Sequence, residues 1–249
     1  MDDFSANTEP VKHSVFNIIK NKRIIIYAVG ALLLLVVSVI FLRRLILRIE
    51  RNNYYKSIVS ISVTIPEGFN TNQIGDTFAL KLKNFNKANF LLQVNELEGY
   101  LFPDTYSFLN NMNETNVIKS MRDNFEKKVT PLLPEIAAVG KTENDIVIMA
   151  SILEKEAQGD TDRKIISGIL WKRISIGMPL QVDAAMETYK TKGLPENPIG
   201  NPGLEAIQAA IHPQSSPYLY YLHDKDGNIH YAKNFAEHVK NKLKYLGTN

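Results

Sequence analysis

The sequence predicts an α+β protein carried on a single N-terminal transmembrane helix, and three observations predict it. Residues 24–42 hold no charge. Segments with apolar residues at i, i+3, i+4 and i+7 follow a short polar–apolar alternation at 60–65. Near the end, two tyrosine-rich runs flank Asp226-Gly227, a favoured pair for a β-hairpin turn. At 249 residues the chain has room for one sizeable domain or two small ones.

The membrane segment comes first. Met1 to Asn21 is polar and reads as a disordered stretch within a tail ending at residue 23. Ile24 to Leu42 would span about 28 Å as a helix, close to the thickness of a bilayer core. A cleaved signal peptide would have a shorter apolar core and a small-residue cleavage site, whereas Arg43 and Arg44 follow here. Lys12, Lys20, Lys22 and Arg23 precede the span, and Arg43, Arg44, Arg48 and Arg51 follow it. The positive-inside rule therefore gives no orientation. Residues 43–59 continue as a stalk.

Beyond it, Ser60–Ile65 reads as a half-buried strand and Pro66-Glu67-Gly68 as a turn. Thr71–Lys83 and Phe85–Val94 have helical spacing. This strand-turn-helix unit, residues 60–95, is too small for a large core and reads as a packing or glycan-binding subdomain. Residues 96–246 form the main domain. Leu97–Phe108 reads as an ordered aromatic loop rather than a strand, punctuated by Gly99 and Pro103. Tyrosines such as Tyr106 beside carboxylates suit a sugar groove, although aromatics mostly fill cores. Asn116–Val129 is an amphipathic helix stopped by Pro131 and Pro134. Asp162–Ile176 and Leu204–Ile211 are further helices, and Phe235–Leu246 is a lysine-rich final one.

One helix carries the chemistry that the chain offers. Thr142 is its expected N-cap, with Asp145 completing a shortened capping box. Ile146, Met149, Ala150, Leu153 and Ala157 mark a buried face. The run ends in Glu154-Lys155-Glu156. At about 100° per residue the two glutamates lie roughly 200° apart, so they cannot act together on one bond. Glu156 falls nearer the apolar side, and Glu154 sits on the flank with Val147 and Ser151. A carboxyl against an apolar face has a raised pKa and stays protonated near neutrality. Read alone, the same residues are more often a solvated helix end.

The remaining composition narrows the chemistry. A formal charge of +3 with interspersed signs does not resemble a nucleic-acid-binding surface. The absence of cysteine excludes disulfides, thiolate metal sites and a cysteine nucleophile. The five histidines form no HExxH pattern, and no P-loop or GxSxG elbow occurs. Asp224-Lys225-Asp226-Gly227 opens like a calcium loop, but Ile229 and Phe235 stand where glycine and glutamate are required. No metal or cofactor is expected. Carboxylates among aromatic and amide side chains point toward carbohydrate.

The motifs, taken in order, resemble those of the YceG-like family: VTIPEG at 63–68, LEGYLFPDTY at 97–106, ASILEKE at 150–156, LQVDAA at 180–185, GLPENPIGNPG at 193–203, AAIHP at 209–213 and the terminal hairpin. The resemblance covers roughly residues 60–245. It implies a membrane-anchored endolytic murein transglycosylase, with a cytoplasmic tail, a single pass through the plasma membrane and an extracytoplasmic catalytic domain. Residues 60–95 would be a reduced LysM-like subdomain. The implied substrate is nascent peptidoglycan glycan, cut between MurNAc and GlcNAc to leave 1,6-anhydroMurNAc ends; cell-wall synthases are the implied partners.

The resemblance carries the catalytic glutamate to Glu156, with Glu154 as second choice or as a supporting group. It suggests Gln181, Asp183, Tyr189 and Asn201 as cleft residues, to which Tyr106 is added. Two departures are visible. Members commonly have a further LysM-like unit before the IPEG turn, and the insertion after LQVDAA is here shortened to Met186–Tyr189. These losses leave a non-catalytic membrane-anchored peptidoglycan-binding or scaffold protein as the competing expectation.

Overall fold

The computed structural model describes residues 11–57, 60–157 and 159–247, in two units that divide between residues 58 and 59. The first unit is one helix, α1 (Val11–Ser57). Residues 26–52 within it are long and apolar enough to cross a membrane, and their side chains are exposed, as with Leu34 at 73 %. The first half of the predicted tail lies outside the described residues. Its second half is helical rather than disordered, since no proline or glycine interrupts residues 11–29. The last two stalk residues also lie outside the description.

The second unit opens with β1 (Ser60–Thr64), α2 (Thr71–Lys81) and α3 (Lys87–Gln93). Asn70 caps α2, and Gln73 reaches back to the Asn70 amide, a full capping box. β1 pairs antiparallel with β2 (Thr105–Leu109), Val63 opposite Tyr106. The aromatic segment was expected to be a loop throughout, and its second part is a strand. Thr105 and Ser107 alternate there with Tyr106 and Phe108, and Phe108 is buried. α4 (Glu114–Val129) closes this part. Val63, Phe78, Phe90, Leu101, Phe108 and Met121 share one core, which therefore runs across residue 95.

Pro131 and Pro134 do not simply end α4. Each sits in the first turn of a new element, a 3₁₀ turn (Thr130–Leu132) and α5 (Leu133–Ala138), where a missing N–H costs nothing. α6 (Glu143–Glu156) then runs through the centre of the second core. Its capping box forms as the sequence suggests: Thr142 Oγ1 accepts from the Asp145 amide at 3.1 Å, and the Thr142 amide donates to Asp145 at 2.9 Å. Ile146 to Leu153 are all buried, so truncating one of the isoleucines or Leu153 to alanine would cost about 2–5 kcal/mol. α7 (Asp160–Ser175) and α8 (Leu204–Ile211) pack against α6.

The chain ends in β3 (Tyr220–His223), β4 (Ile229–Ala232) and α9 (Phe235–Tyr245). The two strands pair with Tyr221 opposite Tyr231, and Gly227 takes φ 84° in the turn. The Asp224 carboxylate accepts from the Asp226 and Asn228 amides and from His230. It fastens the hairpin.

Candidate active site

The site grows from the last turn of α6, where two glutamates two residues apart meet different partners. Glu154 Oε1 faces Arg163 Nη2 at 3.3 Å, and its Oε2 accepts from the Gly203 amide at 2.9 Å. Both charged side chains are nearly closed off, at 7 % and 10 % exposed. Gly203 also lies close against Glu67, whose Oε1 a Cβ would meet at 1.9 Å. Both Glu154 oxygens are thus engaged in holding the 193–203 loop and α7 to α6.

Glu156 instead opens on a cleft of about 500 Å³. The Tyr221 hydroxyl, presented by β3, donates to its Oε2 at 3.0 Å. Burial pushes the carboxyl above its ordinary 4.5. The Tyr221 hydroxyl, the Ala184 amide and the charge of His223 oppose that shift, while nearby Asp183 adds to it. Burial and the Glu156 charge also hold the Tyr221 phenol well above 10, so it remains a donor.

The facing wall is the loop from Leu180 to the 3₁₀ turn Met186–Tyr189. Gln181 and Asp183 both line the cleft. They do so from bent backbone, since Gln181 has φ 53°, a rare conformation for a side-chain-bearing residue. Buried Thr188 holds the bend: its hydroxyl donates to the Ala185 carbonyl at 2.6 Å and accepts from the Val182 amide at 3.0 Å. Tyr189 donates to Asp183 Oδ1 at 2.5 Å, which raises the tyrosine to about 12. Arg173 braces both walls. Its Nε donates to the Leu219 carbonyl at 2.7 Å and its Nη1 to the Leu180 carbonyl.

Glu156, Gln181, Asp183 and Tyr189 are therefore brought together. Two other expected cleft residues are not among its lining. Asn201 is fully buried. It donates to Glu98 at 2.8 Å and to the Phe69 carbonyl at 2.9 Å, and accepts from the Leu101 amide at 2.8 Å. It ties three segments together with no free polar atom for a ligand. Tyr106 lies in β2, in the first core, donating to the Phe102 carbonyl at 2.6 Å.

A larger cleft, about 860 Å³, opens beside Tyr100, Arg122 and Asn144. Burial raises the Glu98 carboxyl there as well, but both of its oxygens are already taken. Glu98 is engaged by Thr71 and Asn201, and Glu96 is exposed. Tyr221, Arg173 and Thr188 complete the arrangement around Glu156, and spacing does not reveal them. Tyr221 stood in the hairpin motif, but nothing in its sequence neighbourhood marks a carboxylate partner 65 positions away.

The chain as a whole is similar to known proteins. The model of the YceG-like family matches residues 41–187 and 186–244. The endolytic murein transglycosylase of Streptococcus pneumoniae serotype 2 (strain D39 / NCTC 7466) is 28 % identical, over 74 % of this chain and 46 % of its own length. That of Bacillus subtilis (strain 168) is 31 % identical, over 61 % and 49 %. The chain spans about half the length of the curated relatives it matches. The crystal structure of a YceG-like protein from Listeria monocytogenes is similar with a TM-score of 0.68 and 26 % identity, covering 75 % of this chain and 78 % of that one.

Proposed function

Because this chain belongs to the YceG-like family, we propose that it is an endolytic murein transglycosylase in which Glu156 serves as both acid and base. The observation that carries this reading is the desolvated Glu156 carboxyl at the mouth of the cleft, opposite Asp183, Gln181 and Tyr189. Its partner Glu154 is committed to Arg163 and Gly203.

A single acid/base must hold a proton when the strand arrives, which burial of Glu156 favours. That proton passes to the glycosidic oxygen between MurNAc and GlcNAc, and the C1–O bond breaks. The carboxylate so formed is stabilised by the Tyr221 hydroxyl and the Ala184 amide. It then takes the proton of the MurNAc 6-hydroxyl as that oxygen bonds to C1. The product is a 1,6-anhydroMurNAc end, and Glu156 is again protonated. Positive charge developing at C1 in between is met by the nearby Asp183 carboxylate. Ordinary hydrolysis would need two carboxyls sharing the work with water.

In this reading α1 crosses the plasma membrane with its N-terminus in the cytoplasm, and the cleft faces nascent glycan outside. Residues 60–95 act as a reduced LysM-like unit that helps hold the strand, and cell-wall synthases work alongside. The test is incubation of the detergent-solubilised full chain with peptidoglycan, followed by mass spectrometry of the ends. AnhydroMurNAc ends are expected. Reducing MurNAc ends alone would make the protein a hydrolase, and uncut strands would make it a binding or scaffold protein.

A further inference from the structure

The cleft has a second wall that the proposed bond-breaking leaves unused. α9 supplies it through Phe235, Val239, Lys242 and Leu246. At about 100° per residue these four fall within roughly 60° of one another, an apolar stripe with one ammonium at its edge. A surface helix ordinarily turns such a stripe into the core. Here Phe235 stays 64 % exposed, Val239 37 % and Leu246 36 %.

The charges of the cleft are divided accordingly. Its carboxyls, Glu156 and Asp183, come from α6 and the 180–189 loop. On α9, Glu237 is engaged with Asn234 and the Lys233 amide. Lys242 has no ion-pair partner among the described residues. His238 also lines this half, stacked on Tyr220 at 5.2 Å, and its buried Nδ1 has no hydrogen-bond partner among the described residues. Arg173 lies over the same Tyr220 ring, 5.1 Å from its centre, with its nitrogens donating to carbonyls. One half of the cleft is hydroxylic and acidic, and the other is apolar and cationic.

Murein presents the same two chemistries. Its sugar rings are rich in hydroxyls, whereas the lactyl group on each MurNAc extends into a short peptide of methyl-bearing residues, amides and carboxylates. We propose that the α9 wall receives this peptide stem, with a stem carboxylate on Lys242 and its methyl groups against Phe235 and Val239. The cleft thereby selects stem-bearing strands over bare glycan. This rests on the transglycosylase reading and adds a substrate preference to it. A lipid surface fits the stripe less well, because Phe235, Val239 and Leu246 line the cleft and Leu243 alone, 54 % exposed, stands outside it.

The test uses uncrosslinked strands with their stems, and the same strands after an amidase has removed them. Detergent-solubilised full chain should produce anhydroMurNAc ends from the stem-bearing strands about tenfold faster, the ratio that an exposed charge contact and the burial of a methyl group together would give. Lys242→Gln and Phe235→Ser should narrow that ratio to about threefold or less with unchanged melting temperatures. A second arm, binding of a disaccharide-peptide and its bare disaccharide to the Glu156→Gln chain, reads the preference without turnover. Equal rates and equal binding would overturn the stem site while leaving the transglycosylase reading intact. Preferential binding of the disaccharide-peptide without anhydro ends from any strand would uphold the stem site and overturn the reading of the reaction.

Discussion

Glu154 and Glu156 leave the same turn of α6 for opposite surroundings: Glu154 lies between Arg163 and the Gly203 amide, and Glu156 meets the Tyr221 hydroxyl at the edge of the cleft. The two carboxyls differ in what their loss should do, and this difference separates a structural acid from a reacting one.

Replacing Glu154 with glutamine leaves the Arg163 guanidinium, 10 % exposed, with the exposed Asp160 as its remaining ion-pair partner and Glu67 as a nearby charge. Breaking a buried pair from one side costs about 3 kcal/mol. Denaturant unfolding should register that loss. An unchanged midpoint would show that the ion pair contributes little.

Glu156 predicts the reverse for stability. Burial raises its pKa in the fold, so the group is neutral in both states below the unfolded value near 4.5. As pH rises from there through the folded pKa, the unfolded chain gains by ionising and stability is lost. Glu156→Gln removes that penalty while keeping an acceptor for Tyr221. Its melting temperature should exceed the wild type's at pH 7 and match it near pH 4, as thermal unfolding at the two pH values would read. A lower melting temperature at pH 7 would contradict the assigned cause.

Tyr221 lowers the Glu156 pKa by donating to the charged form. Tyr221→Phe should therefore move the alkaline limb of the pH–rate profile upward and slow the plateau, because the carboxylate formed in the first step loses a partner. A limb that moved downward would mean that the hydroxyl serves the protonated form.

Asn201→Ala should cost about 2–4 kcal/mol, since the Glu98 carboxyl, the Phe69 carbonyl and the Leu101 amide all lose a partner. The folded fraction should keep its KM for glycan. A raised KM with unaltered stability would instead return Asn201 to the cleft.

Local signals were readable from sequence, and distant ones were not. The Thr142/Asp145 capping box, α9 and the Asp226-Gly227 turn depend on residues within a few positions, and each forms where spacing put it. β2 was hidden because its partner β1 lies some 40 positions earlier, with Thr64 meeting Thr105. Asn201 belongs to an ordered motif, yet its work is done across 100 to 132 positions, invisible to any window. The helical wheel puts the two glutamates on different sides of α6 and leaves Glu154 on a flank. Arg163 and Gly203 enclose it there, and both come from other elements.

The central claim is that one carboxyl, Glu156, both gives and takes the proton. The most direct measurement counts anhydroMurNAc ends released from peptidoglycan by full-length Glu156→Gln and Glu154→Gln chains, each confirmed to be folded. The account predicts no anhydro ends from Glu156→Gln and a measurable yield from the folded fraction of Glu154→Gln. A full yield from Glu156→Gln, with none from folded Glu154→Gln, would contradict it.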